Sequence, residues 1–215
     1  MKITLSKKQW QMIGHTTGWL KNHAQQNPSL KWQNYVGNPQ LQEILEHPES
    51  APKVILLYGS PGTGKSIFAH ALADRLGKSV YEIDLGRFTG KWLGQANKMR
   101  SQYIGERERM IKDMLGSIPK DAVVLFDEVD RQMNFLNSSD QGGSQGSHEV
   151  TEQGGAHEVT QNISSSILDY LAKSGNYVVL TTNSIDSVDT ALLDRASVIK
   201  TEGTSRRPPK NVELE

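Results

Sequence analysis

The sequence predicts a three-layer α/β domain built on a parallel sheet, and three observations carry that prediction. Short continuous apolar runs recur along the chain, at VILLY (54–58), AVVLF (122–126) and YVVLTT (177–182), and such runs mark strands buried on both faces. Helical patterns lie between them, so strand and helix alternate as parallel strands joined by right-handed crossovers require. The first run ends in a glycine-rich turn, GSPGTGKS (59–66), that opens a helix.

Taken in order, residues 1–30 read as a helical extension. Trp10, Ile13, Trp19 and Leu20 stand at loose helical spacing, and a polar link ends at Pro28. KWQNYVG (31–37) is extended and aromatic, Pro39 to Glu46 is a helix, and HPESAP (47–52) breaks it. After VILLY, a helix from Ile67 to Leu76 is stopped by Gly77. SVYEIDL (79–85) is a second strand, and an amphipathic segment at about 95–115 precedes AVVLF. Residues 137–156, rich in Gly, Ser and Gln and without periodicity, form an exposed loop. Ile163 to Ala172 is helical, YVVLTT a strand, Asp189 to Asp194 a helical turn and SVIKT (197–201) the last strand. The core is thus expected at 31–201, followed by a disordered tail at 202–215 with two prolines and no apolar periodicity.

The totals exclude several functions. Lys+Arg and Asp+Glu balance at 24 each, so no global field draws the chain to nucleic acid or to an anionic membrane. No cysteine is present, which removes disulfides, thiolate zinc sites and cysteine nucleophiles. The longest apolar run near the start, Ile3 to Leu5, is too short for a signal peptide or a membrane span. The expectation is a cytoplasmic protein. In the glycine-rich loop, GSHEVTEQ (146–153) is echoed by GAHEVTQN (155–162). A nine-residue step between His148-Glu149 and His157-Glu158 does not match the i, i+4 spacing of a helical zinc motif, so a slipped local duplication is expected.

The chemistry concentrates in three strand ends. GSPGTGKS fits G-x-x-x-x-G-K-[ST], and it lies after a buried strand and before a helix, where its mechanism requires. Gly59, Ser60, Pro61, Gly62, Thr63 and Gly64 form a loop whose backbone N–H groups turn inward around phosphates, and Ile67 follows the motif on the helix. Lys65 reaches the β- and γ-phosphates, the helix N-terminus adds partial positive charge, and Ser66 offers a hydroxyl to Mg²⁺. VVLFDEVD (123–130) ends an apolar strand in adjacent carboxylates. There Asp127 orients Mg²⁺ and Glu128 polarises the attacking water, the two tasks that phosphoryl transfer sets. Asn183, ending YVVLTTNS (177–184), is placed to bond the γ-phosphate or the lytic water.

These residues together resemble the AAA-type P-loop ATPases, from about Trp32 to Ile199. GSPGTGKS is close to that family's GPPGTGKT, LFDEVD (125–130) resembles its second acidic motif, and TTNSIDSVDTALLDR (181–195) resembles its sensor and second homology region. The resemblance implies a P-loop NTPase fold with a five-stranded parallel sheet in the order 5-1-4-3-2, counting from VILLY. It implies ATP and Mg²⁺ as cofactors, a homo-oligomer in the form of a hexameric ring, and a protein substrate. It places Val36 and Gly37 beside the adenine. KWLG (91–94) resembles the pore loop of the branch that includes katanin and spastin, which makes Lys91, Trp92 and Leu93 substrate-gripping residues. The opposing reading of Trp92 is a half-buried anchor that fixes its loop to the domain.

Three departures qualify the resemblance. The family's double-arginine stretch is here LLDRASVI, so Arg195 becomes the candidate for the arginine that completes a neighbour's site, with Arg206 and Arg207 behind it. Nothing after the last strand resembles the family's helical lid, and weak nucleotide affinity with slow turnover is the corresponding expectation. Finally, Trp92-Leu93-Gly94-Gln95 recurs eleven residues later as Tyr103-Ile104-Gly105-Glu106. Eleven residues make three turns of about 3.67 residues each, so the insertion leaves an amphipathic helix in phase. Ala96, Met99, Tyr103, Met110 and Met114 then share a face with Tyr103 inward, a reading favoured over a helix beginning at Glu106 with both aromatics on one loop. The leading function is an ATP-hydrolysing, ring-forming machine acting on proteins. A nucleotide-dependent switch or scaffold with little turnover is the alternative, and a DNA-associated P-loop ATPase is disfavoured by the charge balance.

Overall fold

A computed structural model of the chain describes residues 6–17, 20–23, 31–84, 104–130 and 166–202. Among these residues six strands make one sheet. They are β1 (Leu20–His23), β2 (Val54–Tyr58), β3 (Val80–Ile83), β4 (Val123–Phe126), β5 (Tyr177–Thr182) and β6 (Ser197–Lys200), lying side by side in the order β1-β3-β4-β5-β2-β6. Strands β3, β4, β5, β2 and β6 run parallel and reproduce the expected order. Burial alternates along them. Leu56, Val124, Phe126, Val178 and Leu180 enter one core, while Ile55, Leu57, Val123, Leu125 and Val179 enter the other. A strand apolar at every position can exist only when both faces are covered.

Helices supply the covers. On the second face lie α2 (Pro39–Glu46) and α3 (Lys65–Leu76), contributing Leu41, Leu45, Phe68 and Leu72. On the first lie α1 (Lys7–Thr17), α4 (Ile104–Ser117), α5 (166–173) and α6 (Thr190–Leu193), contributing Trp10, Ile111, Met114, Leu115, Ile167 and Leu192. Local signals explain the boundaries. Asn38 caps α2 by accepting from the Gln40 N–H at 2.8 Å, with Pro39 at the first helical position. Asp189 caps α6 through the Ala191 N–H. Gly77 ends α3 in the left-handed conformation.

The expected five strands are corrected to six. Leu20, assigned from its spacing to an N-terminal helix, lies on β1, which pairs antiparallel with β3 in the register Leu20↔Ile83. The helix ends at Thr17, and the four residues LKNH then continue along the sheet edge, with Lys21 bonding Glu82 at 2.6 Å. A strand of this length shows no periodicity of its own, so only its partner reveals it. The extension is also tied to α4, because Gln11 Nε2 donates to the Ser117 carbonyl at 2.8 Å. Ser6 and Gln9 form a reciprocal cap at the start of α1. A second difference is small: Trp32–Asn34, within the segment expected to be extended, makes a 3₁₀ turn before Tyr35 extends.

Helix α4 covers the described part of the amphipathic segment. It includes Gly105 and buries Ile111, Met114 and Leu115, with Ile118 just beyond its end. Ala96, Met99 and Tyr103 lie outside the described residues, as do Lys91, Trp92 and Leu93, the His148–Glu158 duplication, the 137–156 loop, and Arg206 and Arg207. Among the described residues no helix is long and apolar enough to cross a membrane.

Candidate nucleotide site

The C-terminal ends of β2, β4 and β5 are neighbours in the sheet, so the three motifs meet at one edge. That edge of a parallel sheet is where ligands bind in open α/β folds. From Tyr58 the backbone turns through Gly59, Gly62 and Gly64 at φ +146°, +80° and +85° before α3 begins. Gly59 is enforced by contact as well as by dihedral, since a Cβ there would lie 2.2 Å from the Thr201 carbonyl oxygen. Gly64 starts α3 without any side-chain cap, which leaves the first helical N–H groups facing the loop.

Lys65 is buried, and its ammonium donates to the Gly59 carbonyl at 2.7 Å, the Ser60 carbonyl at 3.0 Å and Asn183 Oδ1 at 3.1 Å. Burial pushes its pKa below the ordinary lysine range, opposed by the fields of Asp127, Asp130 and Glu128. Ser66 Oγ donates to Asp127 Oδ1 at 2.8 Å. A hydroxyl and a carboxylate oxygen side by side, next to an ammonium and a loop of inward N–H groups, suit a divalent cation that is itself bound to phosphate. Among the described residues no group of three or more His, Asp or Glu could hold a metal ion. The residues fit Mg²⁺ with a nucleoside triphosphate, with Lys65 and the loop on phosphate and Ser66 and Asp127 on the metal.

The remaining expected residues are placed as follows. Glu128 follows Asp127 with a left-handed backbone, φ +52°, uncommon for a side-chain-bearing residue and frequent at functional sites. Val36 is 67% exposed and Ile67 45%, both unusual for aliphatic residues in a packed domain. Gly37 is packed against the Tyr35 hydroxyl, and Tyr35 meets Phe68 of α3 edge to face. Ser60 and Pro61 are exposed at the loop tip, and Thr63 Oγ1 bonds the Ser60 carbonyl. Arg195 is exposed beyond α6, where its guanidinium donates to the Ala191 carbonyl at 3.0 Å and takes no part in the bonds joining Lys65, Ser66, Asp127 and Asn183.

Three residues of the site escaped the sequence reading. Thr201, one position past β6, holds Thr63 hydroxyl to hydroxyl at 2.7 Å and abuts Gly59. Asp130 is buried, and its Oδ1 has no hydrogen-bond partner. Thr181 bonds both Asp127 and Glu128. For Thr181 a signal existed, because it stands two residues before Asn183 near the end of the same apolar run.

The fold and this edge define a P-loop nucleotide-binding domain. The chain belongs to the ATPase family associated with various cellular activities (AAA), whose family profile matches residues 55–202. It is 33% identical over 166 residues to the 26S proteasome regulatory subunit 8 homolog of Schizosaccharomyces pombe, covering 74% of this chain and 34% of that one. It is 29% identical over 158 residues to the pachytene checkpoint protein 2 homolog of Danio rerio, covering 68% and 34%. This chain thus spans about a third of the length of those relatives. Among solved structures it resembles the FIGL-1 AAA domain, with a TM-score of 0.55 at 18% identity over 89% of this chain and 59% of that one. A structure titled for katanin self-assembly matches with a TM-score of 0.50 at 16% identity, over 93% and 60%. At these identities the structural matches speak for the fold.

Proposed function

We propose that the chain is a Mg²⁺-dependent ATP hydrolase that works as a ring of copies, a hexamer by family resemblance, in the cytoplasm and on protein substrates. The observation that carries this reading is the bonded set at the sheet edge, in which Lys65 meets Asn183 while Ser66 meets Asp127. In this reading bound Mg²⁺ neutralises charge on the β- and γ-phosphates. The chain's own groups do the rest. The loop N–H groups and Lys65 fix the phosphates, and Ser66 and Asp127 position the cation. Glu128 orients and deprotonates the attacking water, and Asn183 aligns it. Val36, Gly37 and Ile67 form an apolar contact for the base, which would account for the exposure of Val36 and Ile67. Arg195, exposed beyond α6, serves the site of a neighbouring copy, where such a cation is worth several kcal/mol to phosphoryl transfer. Lys91, Trp92 and Leu93 are the proposed grip on the protein substrate.

Glu128→Gln tests the assignment. The wild-type chain should hydrolyse ATP in Mg²⁺, and the variant should bind ATP with similar affinity while turnover falls by about 10²-fold or more. Light scattering should find the variant held with ATP as a larger assembly than without. A wild-type chain that binds ATP without measurable turnover, and is unchanged by the substitution, would instead establish a nucleotide-dependent switch.

A further inference from the structure

Thr181 sits near the end of β5 with no exposed surface. Its hydroxyl joins two adjacent residues in the turn that follows β4. The Glu128 N–H reaches Thr181 Oγ1 at 2.9 Å, and Thr181 Oγ1 lies 2.5 Å from Asp127 Oδ1. The proton directions are forced. An amide N–H only donates, so the hydroxyl accepts from Glu128, and its single proton must go to the carboxylate, which only accepts. A hydroxyl donating to a carboxylate at this distance belongs to the strong, charge-assisted kind.

Register explains why the contact forms here. Phe126 pairs with Leu180 in the β4–β5 ladder, so the next residue of each strand, Asp127 and Thr181, come side by side as β4 ends. Thr182, one residue on, spends its hydroxyl locally on the Ser184 carbonyl and N–H. Thr181 is therefore the group that ties the acidic pair to the strand carrying Asn183. Its bond to Asp127 Oδ1 is made on the same oxygen that accepts from Ser66, and its bond to Glu128 is made where the backbone takes its left-handed turn.

We propose that Thr181 is a positioning residue for the acidic pair: one hydroxyl holds the Asp127 carboxylate towards Ser66 and pins the backbone turn that aims Glu128, so metal position and water orientation are set together. This rests on the hydrolytic reading above. It predicts that losing the hydroxyl weakens the metal and slows the chemistry while phosphate binding through Lys65 and the loop survives.

The test compares Thr181→Val, which keeps shape and loses the hydroxyl, with Thr181→Ser, which keeps the hydroxyl. ADP affinity in EDTA should stay within about threefold of wild type in both. Mn²⁺ affinity for the ADP complex, read by electron paramagnetic resonance, should fall about 10-fold or more in Thr181→Val, as for lost outer partners of metal ligands. The kcat should fall about 10- to 100-fold with KM for ATP little changed. Thr181→Ser should recover both to within about threefold. Should the valine chain fail to fold, Thr181→Ala replaces it in the same comparison. Wild-type Mn²⁺ affinity in the hydroxyl-free variant, or a serine variant as impaired as valine, overturns the proposal. An inactive wild type would remove the hydrolytic reading alone, since the Mn²⁺ comparison still decides the role of Thr181.

Discussion

Gly59→Ala and Gly62→Ala separate two reasons for a glycine within one loop. Both residues have positive φ, +146° and +80°. At Gly62 an added Cβ meets nothing within 4 Å, so the cost is conformational, about 1 kcal/mol. At Gly59 the Cβ would lie 2.2 Å from the Thr201 carbonyl oxygen and 2.8 Å from its Oγ1, more than 1 Å short of ordinary contact with the carbonyl. The φ there is also further from anything alanine tolerates, about 1–3 kcal/mol. Thr201 cannot retreat freely, because its N–H is held by the Tyr58 carbonyl at 2.8 Å and its hydroxyl by Thr63 at 2.7 Å. Losing one or two such bonds adds about 1 kcal/mol each. The total for Gly59→Ala is about 2–5 kcal/mol, at least about 1 kcal/mol beyond Gly62→Ala, or roughly a 5-fold larger loss in the folding constant. Urea unfolding followed by circular dichroism reads this as a shift in midpoint at unchanged slope. Equal shifts for the two variants would refute the steric argument.

Two further outcomes follow from buried groups. Tyr35 is buried with an unpartnered hydroxyl, and burial pushes its pKa up to about 12 from an ordinary 10. Tyr35→Phe should therefore leave stability unchanged or raise it by up to about 1 kcal/mol in thermal melts at neutral pH. Because the folded value is raised, the folded phenol keeps its proton where the unfolded one loses it, and wild type loses stability as pH rises from 10 towards 12. The phenylalanine variant lacks that loss, so its advantage should widen between pH 9 and 11. Trp10 is 4% exposed and packs with Leu20, Ile111 and Leu115 in the first core. Trp10→Ala should cost about 3–5 kcal/mol in the single unfolding transition of the domain, whereas an extension that folds apart would show no effect on that transition.

What the sequence revealed here depended on whether a residue's role was written in its neighbours along the chain. Strands β2 and β5 begin and end where the apolar runs do, and Pro39–Glu46 is framed by its own cap and breaker. The phosphate loop was legible because its glycines, lysine and serine stand within one short run, GSPGTGKS, that fits a single pattern. Arrangements fixed across the sheet were not. LKNH has neither alternation nor an apolar run, and it becomes β1 only because β3 offers an unpaired edge. Thr181 and Thr201 look like ordinary strand threonines, and their meaning comes from Asp127 and Gly59 in other strands or turns. Helix α4 was anticipated, yet its buried stripe runs through Ile111 and Leu115 as well as Met114, because the position of α1 sets which side faces inward.

The placement of β1 separates two units that are often treated as one. The stretch that carries the family's pattern begins at Ile55, but the sheet it builds draws its outermost strand from residues 20–23 and part of its core from Trp10. Inheritance and cooperativity thus have different borders in this chain. A cut made where the family pattern starts would divide a single folding unit, baring the polar edge of Val80–Ile83 to any chain able to add a strand.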